Sequence, residues 1–273
     1  MKRFCILLAG VLCAVSAVQA GDEAPAIVVR RDGRALRAFL QNLDAVALTV
    51  RLDKATANSQ IKREDLQRVE FGHRSFDLTQ LQGQYNKTDY AGVISVLEPV
   101  TTPYRGFVSV SNNLGAAFCL LLESYVAAGN TDQADRLAAV LATDPNPDVQ
   151  SVALICRALS AVKRNDSASA ETMLEKIKQP AARLYIKARA EQARNQPVAA
   201  IQTVVQLIAE YPNDMRWMPP AELLAAQLYL QMGMTNAALT TARQTMKFYA
   251  GMPAAVEAGT LYSTLEKSTA KPE

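Results

Sequence analysis

Two periodicities divide the chain after an apolar start. Residues 4–18 are almost unbroken apolar. From residue 26 to residue 71 the pattern is that of strands. Val46, Leu48, Val50 and Leu52 alternate with Ala47, Thr49 and Arg51, a period of two that puts one face on a core and the other toward water. The runs 26–29, 35–40, 61–63 and 68–71 predict four more short strands. Asp32-Gly33 reads as a tight hairpin, because glycine accepts the positive φ that such a turn demands. Asn42-Leu43-Asp44 reads as a second turn, and Glu64-Asp65-Leu66 as one helical turn before the last strand.

Downstream of Ser75 the apolar spacing becomes helical. Leu114, Ala117, Phe118, Leu121, Leu122 and Tyr125 share one helix face, as do Ile201, Val204, Val205 and Ile208. A six-residue signature recurs between such helices, starting at Asn86, Gly129, Asn165, Asn195 and Gly233. It opens on a residue that tolerates the left-handed conformation at a helix end. Residues that start helices follow in most copies. It closes on a small residue suited to tight helix packing, at Ala91, Ala134, Ala170, Ala200 and Ala238. The average spacing is about 37 residues, near the 34 or so of a tetratricopeptide helix–turn–helix. Alanines recur in register at Ala158, Ala188 and Ala226, tyrosines at Tyr125 and Tyr229, and prolines at Pro103 and Pro212. The longest interval holds an extra loop at 101–111.

On these residues the stretch 76–267 resembles the tetratricopeptide repeat (TPR) family. The stretch 21–75 resembles the small SH3-like or Sm-like barrels, through the Asp32-Gly33-Arg34 hairpin and the closing run 63–71. The expected fold class is therefore α+β, mainly α. A small five-stranded β-barrel would precede a TPR-like α-α superhelix of about five helix pairs. A capping helix over 253–265 would cover the exposed apolar end of the last repeat, and 268–273 would be a tail. The resemblance implies a concave face lined by the first helix of each pair, with Glu123, Lys163, Tyr185, Arg189, Gln192, Gln227 and Gln231 facing a partner. In the small-barrel stretch Phe39 and Phe71 are the only aromatics, so an aromatic groove for proline-rich peptide is not expected there.

The start of the chain changes the picture of address. Lys2 and Arg3, the apolar run and the small residues Val18 and Ala20 form the three parts of a secretory signal over 1–20, with cleavage expected after Ala20. The expected location is across the inner membrane, in the periplasm. Loss of the leader removes Cys5 and Cys13 and leaves Cys119 and Cys156 on the first helices of neighbouring repeats. They are compatible with one disulfide in an oxidising compartment, or with two buried free thiols acting as small apolar side chains.

Composition then excludes function classes. With 29 Lys and Arg against 26 Asp and Glu the net charge is +3, too balanced for electrostatic capture of nucleic acid. The arginines of 30–74 are interleaved with acids. A single His73 rules out a multi-His metal site, and no nucleophile–base pair or phosphate-binding motif is present. No cofactor is expected, and Trp217 reads as the anchor of an inter-repeat loop. The chain reads as a non-catalytic scaffold or adaptor that binds a protein or peptide partner in the cell envelope. The alternative reading is a binder of peptidoglycan or envelope polysaccharide acting through the N-terminal β module.

Overall fold

The computed structural model describes residues 24–73 and 75–269. The expected leader at 1–20, with Cys5 and Cys13, lies outside the described residues, as do Arg74 and residues 270–273 of the expected tail. The fold is α+β and mainly α. Five strands, β1 (Ala24–Arg30), β2 (Ala35–Leu43), β3 (Ala47–Leu52), β4 (Asn58–Lys62) and β5 (Leu66–Phe71), form one antiparallel sheet in the order β4-β3-β2-β1-β5. Its ladder has β4 and β5 at its two ends. A 3-10 turn at Arg63–Asp65 precedes β5, where the sequence predicts a helical turn. Gly33 takes a φ of 84° in the β1–β2 hairpin, which only the lack of a Cβ makes easy.

Period-two patterning holds inside the strands, where Val28, Leu48, Val50 and Val69 are fully buried. It fails at Val46, which is 72% exposed. The Asp44 carboxylate accepts the backbone N–H groups of Val46 and Ala47, each at 2.8 Å. Val46 thus belongs to an Asx-type turn that points its side chain outward before β3 begins.

Eleven α-helices follow among the described residues. They are α1 (Leu78–Asn86), α2 (Tyr90–Thr101), α3 (Gly115–Ala128), α4 (Thr131–Leu141), α5 (Pro147–Lys163), α6 (Ser167–Leu174), α7 (Pro180–Ala193), α8 (Pro197–Glu210), α9 (Met218–Gln231), α10 (Thr235–Phe248) and α11 (Pro253–Thr269). The first ten form five antiparallel hairpins. The odd-numbered helices stack, with α3 against α5, α5 against α7, α7 against α9 and α9 against the terminal α11.

The turns inside the last four hairpins carry positive φ at Gly129, Asn165, Asn195 and Gly233, as the recurring signature predicts. Five residues on, Ala134, Ala170, Ala200 and Ala238 are fully buried. The first hairpin departs from the expected register by two residues. There α1 continues through Asn86 and the positive φ falls on Thr88. Ala91 is exposed and Val93 takes the buried position. The Asp89 side chain caps α2 by accepting the Gly92 N–H at 3.0 Å, which fixes where this helix starts.

The extra loop expected at 101–111 joins the two regions. A 3-10 segment at Thr102–Phe107 lays Tyr104 on Phe71 of β5, ring centroids 4.5 Å apart. The Tyr104 hydroxyl donates to the carbonyls of Gly72 and Pro25. Beyond it, Ser111 accepts the Val69 N–H at 2.8 Å, and the Asn113 amide brackets the Phe71 backbone. The polar groups along this part of the β5 edge are thus satisfied by the helical region, which is how an otherwise open edge is protected. One apolar cluster runs unbroken from Val28 in the sheet through Leu97 and Phe118 to Cys156 in α5, across the boundary expected near residue 75.

Candidate functional site: a cavity on the concave face

Because the odd-numbered helices share one side of the stack, their exposed faces converge on a single hollow. This cavity measures about 780 Å³. Every odd-numbered helix contributes, with Tyr85 from α1, Glu123 from α3, Lys163 from α5, Tyr185 and Arg189 from α7, Gln227 from α9 and Glu257 from α11. Tyr90, at the start of α2, completes the wall.

The α8–α9 connection dips into the hollow. The Asp214 carboxylate accepts the N–H groups of Arg216 at 3.0 Å and Trp217 at 3.2 Å. That local turn aims both side chains inward. The Arg216 guanidinium reaches across 93 residues of chain to donate to Glu123 at 2.7 Å. Burial pushes the Glu123 carboxyl up from its ordinary pKa, and the Arg216 charge opposes the shift. Trp217 is 6% exposed and rests against Tyr185, ring centroids 5.3 Å apart. It is the loop anchor expected from the sequence, and its indole also lines the cavity.

On the opposite wall Tyr90 of the first hairpin and Glu257 of the last helix both line the hollow, near enough for the carboxylate to act on the phenol. Burial and that carboxylate push the Tyr90 phenol up to about 12. Tyr85 meets Tyr90 edge-on at 5.1 Å. Lys163 donates to the Ala127 carbonyl at 3.1 Å. Its ammonium faces the open hollow but is walled by protein, and this desolvation, with Arg189 nearby, lowers its pKa.

Five of the seven residues expected on the groove line the cavity: Glu123, Lys163, Tyr185, Arg189 and Gln227. Gln192 and Gln231 do not. Both sit in the last turn of their helices, beyond the hollow. The Gln231 amide instead donates to the Asn195 side chain at 2.8 Å, tying two hairpin turns together. The positions implied by the resemblance miss Tyr85, Tyr90, Arg216 and Glu257, because the first hairpin is two residues out of register and the others reach the cavity from a loop and from the terminal helix. The inter-repeat position of Met215-Arg216-Trp217 is the one signal that points to any of them.

The disulfide reading is not realised: Cys119 and Cys156 are both free thiols. Cys156 is buried against the cavity wall and Cys119 is half-buried. Burial pushes the Cys119 thiol up to about 12 and the Cys156 thiol well above its ordinary value. A thiol so poor in thiolate is a poor nucleophile. Residue-resolved mass spectrometry after iodoacetamide treatment at pH 8 should find both thiols unmodified in the folded protein and fully alkylated in 6 M guanidinium.

Elsewhere the charged residues of the sheet are locally matched. Arg30 pairs with Asp32 and Asp65, Lys62 with Glu64, and Arg68 with Glu70. His73 lies against Phe76. Among the described residues no group of three or more His, Cys, Asp or Glu is placed to hold a metal ion, and no helix is long and apolar enough to cross a membrane. Neither a protein-family model nor a curated protein matches the chain, so the cavity itself carries the functional argument.

Proposed function

We propose that the protein is a non-catalytic scaffold of TPR type that acts in the cell envelope and holds a segment of a protein or peptide partner in its concave cavity. The carrying observation is convergence: six stacked helices each send side chains into one hollow of about 780 Å³. That size falls within the range of roughly 300–1,000 Å³ that encloses a small ligand or a few residues of chain. Its walls pair aromatic and apolar surface, from Tyr85, Tyr185, Trp217 and Leu223, with a few polar groups that can fix orientation. The one cysteine on the wall has its thiol raised by burial, which supports binding over nucleophilic chemistry. The envelope location rests on the leader-like residues 1–20.

The test is photocrosslinking. With p-benzoylphenylalanine at Gln227, inside the cavity, a native envelope extract should yield defined crosslinked peptides, and adding Arg189→Glu should abolish them. The same group at Val205, which is exposed on α8 away from the cavity, should yield none. Equal yields from the two positions, or crosslinks indifferent to Arg189→Glu, would remove the proposal.

A further inference from the structure

We infer that the Arg216–Glu123 ion pair is a latch. With the pair made, the α8–α9 connection closes one side of the hollow, and its release opens a passage for a guest larger than water. The inference concerns access to the hollow and does not depend on the peptide reading of its guest.

The order of the stack carries the argument. Its helices follow one another as α3, α5, α7 and α9. Two helices therefore stand between Glu123 of α3 and the start of α9, yet Arg216 reaches Glu123 at 2.7 Å. The pair spans the faces that α5 and α7 turn to the hollow. On α5 that face includes Ile155 and Cys156, both buried, and the Cys156 thiol feels both charges. The paired side chains are themselves 45% and 28% exposed, and the neighbouring Met215 is 53% exposed. All three residues line the hollow. The pair thus lies between a buried floor and solvent, which is where a closure must lie.

The attachment of the connection suits it to move. Its backbone hydrogen bonds are local: the Asp214 N–H donates to the Tyr211 carbonyl at 3.1 Å and the Trp217 N–H to the Asp214 carbonyl at 3.0 Å. Among the described residues, the Arg216–Glu123 pair is its one hydrogen bond or ion pair with a distant element. Trp217 is buried and forms a fixed end. Met215 and Arg216 can therefore swing outward while the helix that starts at Met218 stays in place. A partly exposed ion pair is worth little net, so the closed state is favoured without being locked, the balance that a lid requires.

The test measures access by size. Gln227 lines the hollow from α9, and Gln227→Cys places a thiol there in the full chain. Residue-resolved mass spectrometry follows its modification by methyl methanethiosulfonate, which is small, and by fluorescein-5-maleimide, which is bulky. The readout is the ratio of bulky to small labelling rates, referred to the same ratio for Val205→Cys on the exposed face of α8. In the parent Gln227→Cys protein the ratio should be well below that reference. Adding Glu123→Gln or Arg216→Met should raise it about fivefold, the scale of removing a partly exposed pair from a two-state balance. Molar sodium chloride should move the parent the same way, because screening reaches an ion pair open to water. A parent ratio equal to the reference, or one unchanged in both variants, would overturn the latch, and so would labelling by neither reagent in any variant. A lowered urea midpoint with an unchanged ratio would show a structural tie in place of a closure. Failure of the photocrosslinking at Gln227 would remove the peptide reading and leave this result standing.

Discussion

Tyr104→Ala is expected to lower the unfolding free energy by about 3–5 kcal/mol, the scale of losing a large buried aromatic. The residue is 3% exposed, stacks on Phe71 and donates to two carbonyls at the start and end of the sheet. Removing the ring opens a void between sheet and helices and takes the hydroxyl donor from the Gly72 carbonyl, while the Pro25 carbonyl keeps the Gly72 N–H at 2.7 Å. Tyr104→Phe keeps the ring and should cost only about 1 kcal/mol, the scale of a single hydrogen bond. The informative readout is the shape of the urea transition. Because one apolar cluster spans the sheet and the first hairpins, far-ultraviolet circular dichroism and hydrogen exchange in β1 and β5 should report the same midpoint in the wild-type protein. In Tyr104→Ala both should move together. A sheet that melted first, with α3 and α5 unaffected, would mean the two regions are separable units.

Trp217→Ala should produce a loss of similar size, about 3–5 kcal/mol, together with loss of partner binding. The indole fills the space between α7 and the start of α9, and Arg216 lies over it, 5.7 Å from the ring. Without it the α8–α9 connection has no anchor in the hollow, and Arg216 is no longer steered toward Glu123. The consequence for Glu123 has a definite sign. Its carboxyl titrates above its ordinary value in the folded chain, so the folded state holds that proton more tightly than the unfolded state. Glu123 thus favours folding at acid pH, and this contribution is lost as the pH rises through the raised value. With the opposing Arg216 charge displaced, the shift grows, and Trp217→Ala should lose more stability at pH 7 than at pH 4. Denaturation followed by circular dichroism at both pH values checks this, and an identical loss at both would show that Arg216 keeps its place without the indole.

The hairpin plan is legible in the sequence because it is written in local chemistry. Left-handed positions at Gly129, Asn165, Asn195 and Gly233, followed by a small buried residue, specify a helix end and a close crossing together. The first hairpin is harder to read because Thr88, a residue poorly suited to positive φ, occupies that position, and Val93 replaces the alanine. Within the candidate site, Glu123, Lys163, Tyr185, Arg189 and Gln227 follow from the resemblance to TPR repeats, which puts one face of each first helix on the concave side. Arg216, Tyr90 and Glu257 are not, because their positions depend on how far the stack curves. No short segment encodes that curvature; it accumulates from the packing of side chains such as Ala158, Ala188 and Ala226 at successive crossings. The role of the 101–111 insertion is equally hidden, since its contacts with β1 and with the end of β5 lie some 30 to 80 residues away in sequence.

The approach of Tyr90 to Glu257 across the hollow sets a limit on how such a chain can vary. Open solenoids gain or lose units freely, because each unit touches only its neighbours. Here the far ends also meet, so inserting or deleting a hairpin would carry Glu257 away from Tyr90 and change the size of the enclosed space. The number of hairpins is therefore tied to the dimensions of the hollow, much as the number of staves fixes the width of a cask.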